Sequence, residues 1–299
     1  MKILMAYIHY PVCSGRYMKA AFKRAGHDVK SVGYSTLNNI WGMKVSARHN
    51  HYSDGALDTV FPNWVPDVVV VMESAWAYHH PSYQGVPHVV YGVDNHVRDY
   101  RQARIDHYFL AHDSTSIMDV SADDVTVLPC GYDPEAFKAS PFDFEERKFD
   151  VALVGVMYPE RVQMVEMMRD AGLSVAAYTG LLYDEYAGVY RQARYALNIS
   201  AAGDLNQRIF ETAALGCVVL THPIDDLETV DYPDGAIQFF GSADDAIDIA
   251  KQTPTVKTDT AWLDAHTWDA RAKTIVSWVE DTYDLKPKGR KRATTKANA

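Results

Sequence analysis

Short apolar runs alternate with longer segments of helical spacing along the first half of the chain. The runs with strand character cover residues 2–7, 28–33, 67–72, 88–91, 107–111 and 126–128. Between the first two, residues 14–25 carry apolar side chains at helical spacing, and Gly26 follows at the position of a helix C-cap. This alternation predicts a parallel sheet covered by helices.

The second half of the chain repeats the pattern. Strand-like runs at 149–154, 173–178, 195–199, 218–221 and 237–240 alternate with helical segments at 160–171, 184–193, 206–215 and 243–251. Ligands of doubly wound sheets bind beyond the carboxyl ends of the strands. We therefore predict an α/β fold with two doubly wound parallel-sheet domains that face a common cleft.

A charge-rich connection at residues 138–148 sets the domain boundary. We predict an N-terminal domain over 1–140, a C-terminal domain over 149–265, a late helix over 266–285 that packs back on the first domain, and a basic disordered tail over 286–299. The stretch 37–63 is polar and aromatic without a clear period, so we expect a long functional loop there.

Charge is distributed unevenly along the chain. The formal net charge is −10, yet residues 286–299 contain six lysines and arginines and no acid. Such a tail is either a solvated, disordered terminus or an arm that binds a polyanion such as DNA, and the sequence leaves both open.

Cysteine usage and hydropathy indicate the compartment. Cys13, Cys130 and Cys217 are odd in number and lack C-x-x-C spacing, which argues against a disulfide framework and a zinc site. No run approaches the roughly 20 apolar residues that span a bilayer. We expect a protein of the cytoplasm with no membrane span.

The segment 200–221, SAAGDLNQRIFETAALGCVVLT, carries the most chemical information. It leads from a strand through a Gly-Asp turn into a helix that Asn206 or Asp204 can cap. A helix N-terminus attracts anions, and the guanidinium of Arg208 suits a phosphate. Arg208 and Glu211 are also spaced for a simple surface salt pair, so two readings stand at this point.

This segment resembles the group 1 glycosyltransferases of the GT-B fold, particularly their spore-maturation-like branch. The pattern N-x-R-x-F-E-x-x-A-x-G is met by Asn206, Arg208, Phe210, Glu211, Ala214 and Gly216. The likeness extends to residues 128–137, 150–161 and 265–271.

The resemblance implies a nucleoside-diphosphate sugar as donor, with a UDP-sugar expected and no further cofactor. We also predict that no metal is required, because the histidine pairs lack metal-ligand spacing. Glu211 would bind the ribose hydroxyls, while Arg208 and Arg161 would hold the diphosphate and act in catalysis. The other donor-binding residues would be Gly155, Asp204, Asn206 and Ile209. Where the family places a sugar-contacting glutamate this chain has Gly203, with Asp204 as a substitute. Transfer would retain the anomeric configuration.

Polar clusters follow two strands of the first domain and are candidates for the acceptor side. The acceptor-binding candidates are Trp76, His79, His80, Asp94, Asn95 and His96. Asp94 or Glu73 could act as a base. Ordinary loop side chains with local partners are the alternative for both clusters.

Three functions remain open from the sequence. The basic tail and the short chain favour transfer to a hydroxymethylated pyrimidine in DNA, as in a bacteriophage-type DNA-modifying enzyme, which requires the base to leave the stack. The alternative acceptor is a small metabolite, a glycan or an envelope component. Gly203 keeps open a non-catalytic protein that binds a nucleotide sugar.

Overall fold

The computed structural model describes residues 1–9, 12–33, 53–56, 58–72, 83–95, 99–101, 105–113, 120–255 and 261–285. In this part of the chain, the strands form two parallel sheets, one of six strands and one of five. The predicted α/β fold with two parallel-sheet domains is confirmed.

The first sheet is built from the N-terminal half. Its strands are β1 (Lys2–Ala6), β2 (Asp28–Val32), β3 (Val68–Met72), β4 (His88–Gly92), β5 (His107–Leu110) and β6 (Val125–Val127). Their order among the described residues is β2-β1-β3-β4-β5-β6, and helix α1 (Ser14–Arg24) joins β1 to β2.

The second sheet follows with the same logic. Its strands are β7 (Phe149–Val154), β8 (Val175–Tyr178), β9 (Ala193–Asn198), β10 (Val218–Thr221) and β11 (Ile237–Phe239). The helices of this half are α2 (Pro159–Asp170), α3 (Asp184–Tyr190), α4 (Gln207–Ala214), α5 (Ala243–Ala250), α6 (Ala261–Asp264) and α7 (Trp268–Tyr283), with short 3₁₀ turns at Phe144–Glu146 and Asp225–Thr229. The strand order among the described residues is β11-β10-β9-β7-β8.

The central strands are mostly apolar and largely buried. Every residue of β3 is buried, as is every residue of β10. A strand buried on both faces shows a continuous apolar run, which is why these strands could be predicted from the sequence.

Helix α7 contacts α1 and so joins the end of the described chain to the first domain. The Arg24 guanidinium donates to both carboxylate oxygens of Asp269, at 2.9 and 3.1 Å, and to Asp133 at 3.1 Å. Trp268 is fully buried and its ring lies edge-on to Tyr91 of β4.

The direction of chain progression reverses at one point in each sheet. In the first sheet the reversal lies between β1 and β3, and in the second it lies between β7 and β9. Loops diverge at such points and leave a crevice beyond the strand ends, which is where doubly wound folds bind ligands.

Candidate functional site

A cleft of about 420 Å³ lies at the reversal point of the second sheet, beyond the ends of β7 and β9. Its lining from the first half of the chain includes Val12, Tyr17 and Phe137. The opposite wall comes from the loops after β7, β8 and β9 and from the first turns of α4. Both halves of the chain therefore contribute to one site.

Arg208 is a half-buried cation on the first turn of α4 and lines this cleft. Its Nη1 donates to Oδ1 of Asn198, the last residue of β9, at 3.3 Å. A Cβ added to Gly155 would lie 2.7 Å from its Nη2, so a larger residue there would make the guanidinium shift. Burial lowers the pKa of Arg208, but the neighbouring Tyr190 and Tyr186 hydroxyls and Glu211 outweigh it and raise the pKa.

Arg161 lines the same cleft from the start of α2 and is buried. Its Nε and Nη2 both donate to the carbonyl of Ile199, and its Nη1 donates to the carbonyl of Val156 at 2.7 Å. Burial, reinforced by the nearby charge of Arg208, lowers the pKa of Arg161 to about 10. A guanidinium has five N–H donors, so this residue both fixes the two loops and retains donors for a ligand.

Glu211 is a buried carboxylate on the same helix. Its Oε1 accepts from Gln207 Nε2 at 2.5 Å, and its Oε2 accepts from the Tyr186 hydroxyl at 2.9 Å. Burial raises the pKa of Glu211 to about 7, against the opposing effect of the bonds from Gln207 and Tyr186 and the charge of Arg208. Glu211 is therefore not part of a surface salt pair with Arg208, because its carboxylate is buried and bonded to Gln207 and Tyr186.

The capping prediction for α4 is wrong in its detail. Asn206 occupies the N-cap position, but its side chain makes no capping hydrogen bond. Its Nδ2 instead donates to Oδ1 of Asn198, at the end of β9, at 3.0 Å. Asp204, which also lines the cleft, accepts a hydrogen bond from the hydroxyl of Ser200.

Three other residues named from the sequence lie away from the cleft lining. Ile209 is fully buried in the core, so its side chain packs rather than faces a ligand. Asn95 is also fully buried and exchanges hydrogen bonds of 2.8 and 3.0 Å with the backbone of His112. Asp94 precedes it, and its backbone amide donates to the Tyr100 hydroxyl.

The remaining acceptor candidates lie outside the described residues. They are Glu73, Trp76, His79, His80 and His96, and the basic tail 286–299 also lies outside the described ranges.

The structure adds residues that the sequence did not single out. Gln207 and Tyr186 hold the Glu211 carboxylate, and the Tyr183 hydroxyl accepts from the amide of Val12 at 3.2 Å. The Ser14 hydroxyl donates to Oε1 of Gln207 at 3.0 Å. Gln207 stands inside the recognised motif at a variable position, which was the available signal; the others depend on tertiary contacts.

In the described ranges, no cluster of three histidine, cysteine, aspartate or glutamate side chains is arranged to hold a metal ion. That no metal is required stays a prediction. None of the helices in the same ranges is long and apolar enough to cross a bilayer.

Residues 140–277 match the model of a family described as glycosyl transferase-like. This segment, which contains the second sheet, is similar to that family. The match confirms the prediction of an enzyme of the glycosyltransferase class, and the spore-maturation-like branch stays a prediction. No curated protein sequence matches the chain.

Solved structures share the fold over almost the whole chain. A glycosyltransferase involved in avilamycin A biosynthesis is 14% identical, with a TM-score of 0.61 over 93% of this chain and 97% of that one. An alpha-glucosyltransferase in complex with UDP and a 13-mer DNA containing an HMU base is 11% identical, with a TM-score of 0.52 over 94% and 95%. The UDP-GlcNAc 2-epimerase from Neisseria meningitidis, bound to UDP-GlcNAc, is 13% identical with a TM-score of 0.52 over 94% and 100%. At these identities the likeness establishes the GT-B fold.

Proposed function

We propose that this protein transfers a sugar from a UDP-sugar to a hydroxyl group, with retention of anomeric configuration, and that its acceptor is a hydroxymethylated pyrimidine in DNA. In this proposal the segment 149–265 holds the donor and the segment 1–140 presents the acceptor. The reaction takes place in the cytoplasm, where nucleotide sugars and DNA are both present.

One observation carries the donor assignment: two arginines and a buried carboxylate line a single cleft. Arg161 and Arg208 supply positive charge beside Gly155, whose missing side chain allows a phosphate to approach the backbone. Glu211 has two oxygens, each with a lone pair beyond its present bond, which suits the vicinal hydroxyls of a ribose. Structural neighbours bound to UDP and UDP-glucose favour the same donor.

The chemical step follows from this arrangement. The bond between the anomeric carbon and the diphosphate oxygen breaks, the acceptor oxygen bonds to that carbon on the same face, and the acceptor proton passes to the departing diphosphate. Charge develops on the diphosphate as the bond breaks. Arg208, Arg161 and the amide end of α4 are positioned to stabilise that charge.

The acceptor assignment is supported by two features. The alpha-glucosyltransferase with the same fold was solved with DNA containing an HMU base and with DNA containing an abasic site. The sequence of this chain ends in a run of basic residues suited to phosphates. The net charge of −10 opposes DNA binding by the rest of the chain, so binding should depend on the tail.

The donor is tested by calorimetric titration of UDP and by release of UDP from a panel of UDP-sugars. We expect micromolar binding of UDP and slow hydrolysis of one UDP-sugar. Arg208→Ala should lower the rate of turnover about 100-fold, the usual effect of removing one preorganised electrostatic group. Arg169→Ala is the matched control, since Arg169 is exposed at the far end of α2. Interconversion of UDP-sugars without transfer would contradict the proposal and favour an epimerase.

The acceptor is tested with radiolabelled donor and duplex DNA that contains hydroxymethylated or unmodified pyrimidines. Label should enter only the modified DNA, and the α-linkage of the product should be visible by NMR. Removal of residues 286–299 should weaken DNA binding and flatten its dependence on salt. UDP-sugar hydrolysis without any transfer to modified DNA would show that the acceptor is a metabolite, a glycan or an envelope component.

A further inference from the structure

A chain of two hydrogen bonds connects the first domain to the Glu211 carboxylate. The Ser14 hydroxyl, at the start of α1, donates to Oε1 of Gln207 at 3.0 Å. Gln207, the first residue of α4, donates from Nε2 to Oε1 of Glu211 at 2.5 Å. Gln207 is the single side chain in this path that touches both domains.

The chemistry of the glutamine amide gives this path a direction. Residues four apart share one face of a helix, so Gln207 lies beside Glu211 along α4. The amide carries an acceptor on one side and two donors on the other. Because the Ser14 hydroxyl donates to the side-chain carbonyl oxygen of Gln207, the NH₂ group of Gln207 faces the Glu211 carboxylate. The reversed amide would bring two oxygens together.

A second contact brings the same end of α1 to the second domain. The amide of Val12 donates to the Tyr183 hydroxyl at 3.2 Å. Tyr183 has a φ of 49°, a left-handed conformation that a tyrosine seldom adopts and that directs it across the cleft. Ser14 therefore meets Gln207 where the two domains are held together by another bond.

We infer that Gln207 is a positioning residue: held by Ser14 of the first domain, it orients the Glu211 carboxylate for the donor. The inference rests on the proposed role of Glu211 in donor binding. It makes donor affinity depend on the contact between Ser14 and Gln207.

The pKa of Glu211 distinguishes a positioning role of Gln207 from a merely structural one, because a structural role alone would leave this pKa unchanged. The groups that face it are Arg208 on its own helix, Tyr186 and Tyr190 on α3, and Tyr17 on α1. After burial, which raises the pKa of Glu211 to about 7, the bond from Gln207 is the largest opposing influence. Loss of that bond should raise the pKa further, and UDP binding should then require a higher pH.

The experiment is calorimetric titration of UDP between about pH 5 and pH 9 on the full chain. We expect wild-type affinity to fall at low pH as Glu211 becomes protonated. Gln207→Met should move the midpoint upward by about one pH unit and weaken binding about tenfold at neutral pH. Ser14→Ala, a small change that leaves Gln207 in place, should move the midpoint in the same direction by less. Gln252→Met, at the exposed end of α5, is the matched control and should behave as wild type.

The outcomes separate this inference from the proposed function. Wild-type protein that fails to bind UDP at any pH overturns the proposed function, and this inference with it. If wild type binds UDP and the midpoint of its loss of affinity at low pH is the same in Gln207→Met and Ser14→Ala, only the inference is overturned. If Gln207→Met does not fold, as judged by its melting temperature, the midpoint of Ser14→Ala decides.

Discussion

The hydroxyl of Tyr186 donates to Oε2 of Glu211 at 2.9 Å, where the glutamate is buried and the tyrosine is half-buried in the cleft lining. Burial, aided by the charge of Glu211, holds the pKa of Tyr186 well above its usual range. The tyrosine hydroxyl therefore stays protonated, and remains a donor, between about pH 5 and pH 9. The carboxylate beside it is the group that titrates, and several consequences follow from its position.

The first consequence is a pH dependence of stability. Burial raises the pKa of Glu211 from 4.5 to about 7, so the folded protein retains a proton that the unfolded chain releases. Stability is then greatest below the unfolded value and is lost as pH rises through the folded value. Between about pH 5 and pH 8 this single group should reduce the free energy of unfolding by about 2 kcal/mol.

Comparison of wild type with Glu211→Gln isolates this effect, because other titrating groups cancel in the difference. Urea unfolding without ligand should be measured at several pH values. As the pH rises, the free energy of unfolding of the variant should increase relative to that of wild type. A difference in unfolding free energy that is constant with pH would mean that the carboxyl group has an ordinary pKa. The same variant should lose UDP binding, since an amide cannot replace both carboxylate acceptors.

Gly155 is predicted to set the position of the Arg208 guanidinium. A Cβ at this position would lie 2.7 Å from Nη2 of that guanidinium, which must then shift. Gly155→Ala should weaken UDP binding about tenfold or more, measured by calorimetry. Gly188→Ala is the matched control: it lies in α3 with open space around an added Cβ and should stabilise the protein by about 0.5–1 kcal/mol. Equal UDP affinity in the two variants would remove Gly155 from the donor site.

Much of the fold could be predicted because each strand is encoded locally. The run at 218–221 coincides with β10, and the segment 206–215 differs from α4 by one residue at each end. Gly216 follows that helix with a φ of 83°, as expected of a helix C-cap. Periodicity and turn residues are properties of neighbouring positions, so they are visible without the structure.

The cleft was predictable only in part, since its polar contacts join distant segments. Arg208 and Glu211 could be identified from their motif, and both line the cleft. The partner of Arg208 is Asn198, which lies at the end of another strand, and the choice of Asn95 for the acceptor failed to foresee its bonds to His112. Side-chain partners of this kind are fixed by how the strands and helices pack, and no local pattern reports them.

Asn198 should set the charge that the cleft presents to a ligand. It is fully buried, accepts from Arg208 and Asn206, and donates to the Thr221 hydroxyl at 3.1 Å. Asn198→Asp would place a carboxylate of the same shape beside Arg208 and neutralise it. We expect at least about tenfold weaker UDP binding with a retained fold, checked by calorimetry and circular dichroism. Unchanged affinity would show that Arg208 does not hold the diphosphate.

The contact between α1 and α7 should contribute to stability independently of the ligand site. Arg24 is mostly buried and bonds both Asp269 and Asp133, and the Asp133 side chain is only 5% exposed. Arg24→Ala leaves that buried carboxylate without its cation and should lower the free energy of unfolding by about 2 kcal/mol. Arg101→Ala removes an exposed pair with Asp99, and its effect should be close to zero. Urea unfolding measures both changes, and UDP affinity should be unaltered in either variant. If Arg24→Ala destabilises no more than Arg101→Ala, the packing of α7 on α1 does not depend on this ion pair and must be maintained by apolar contacts such as that of Trp268 with Tyr91.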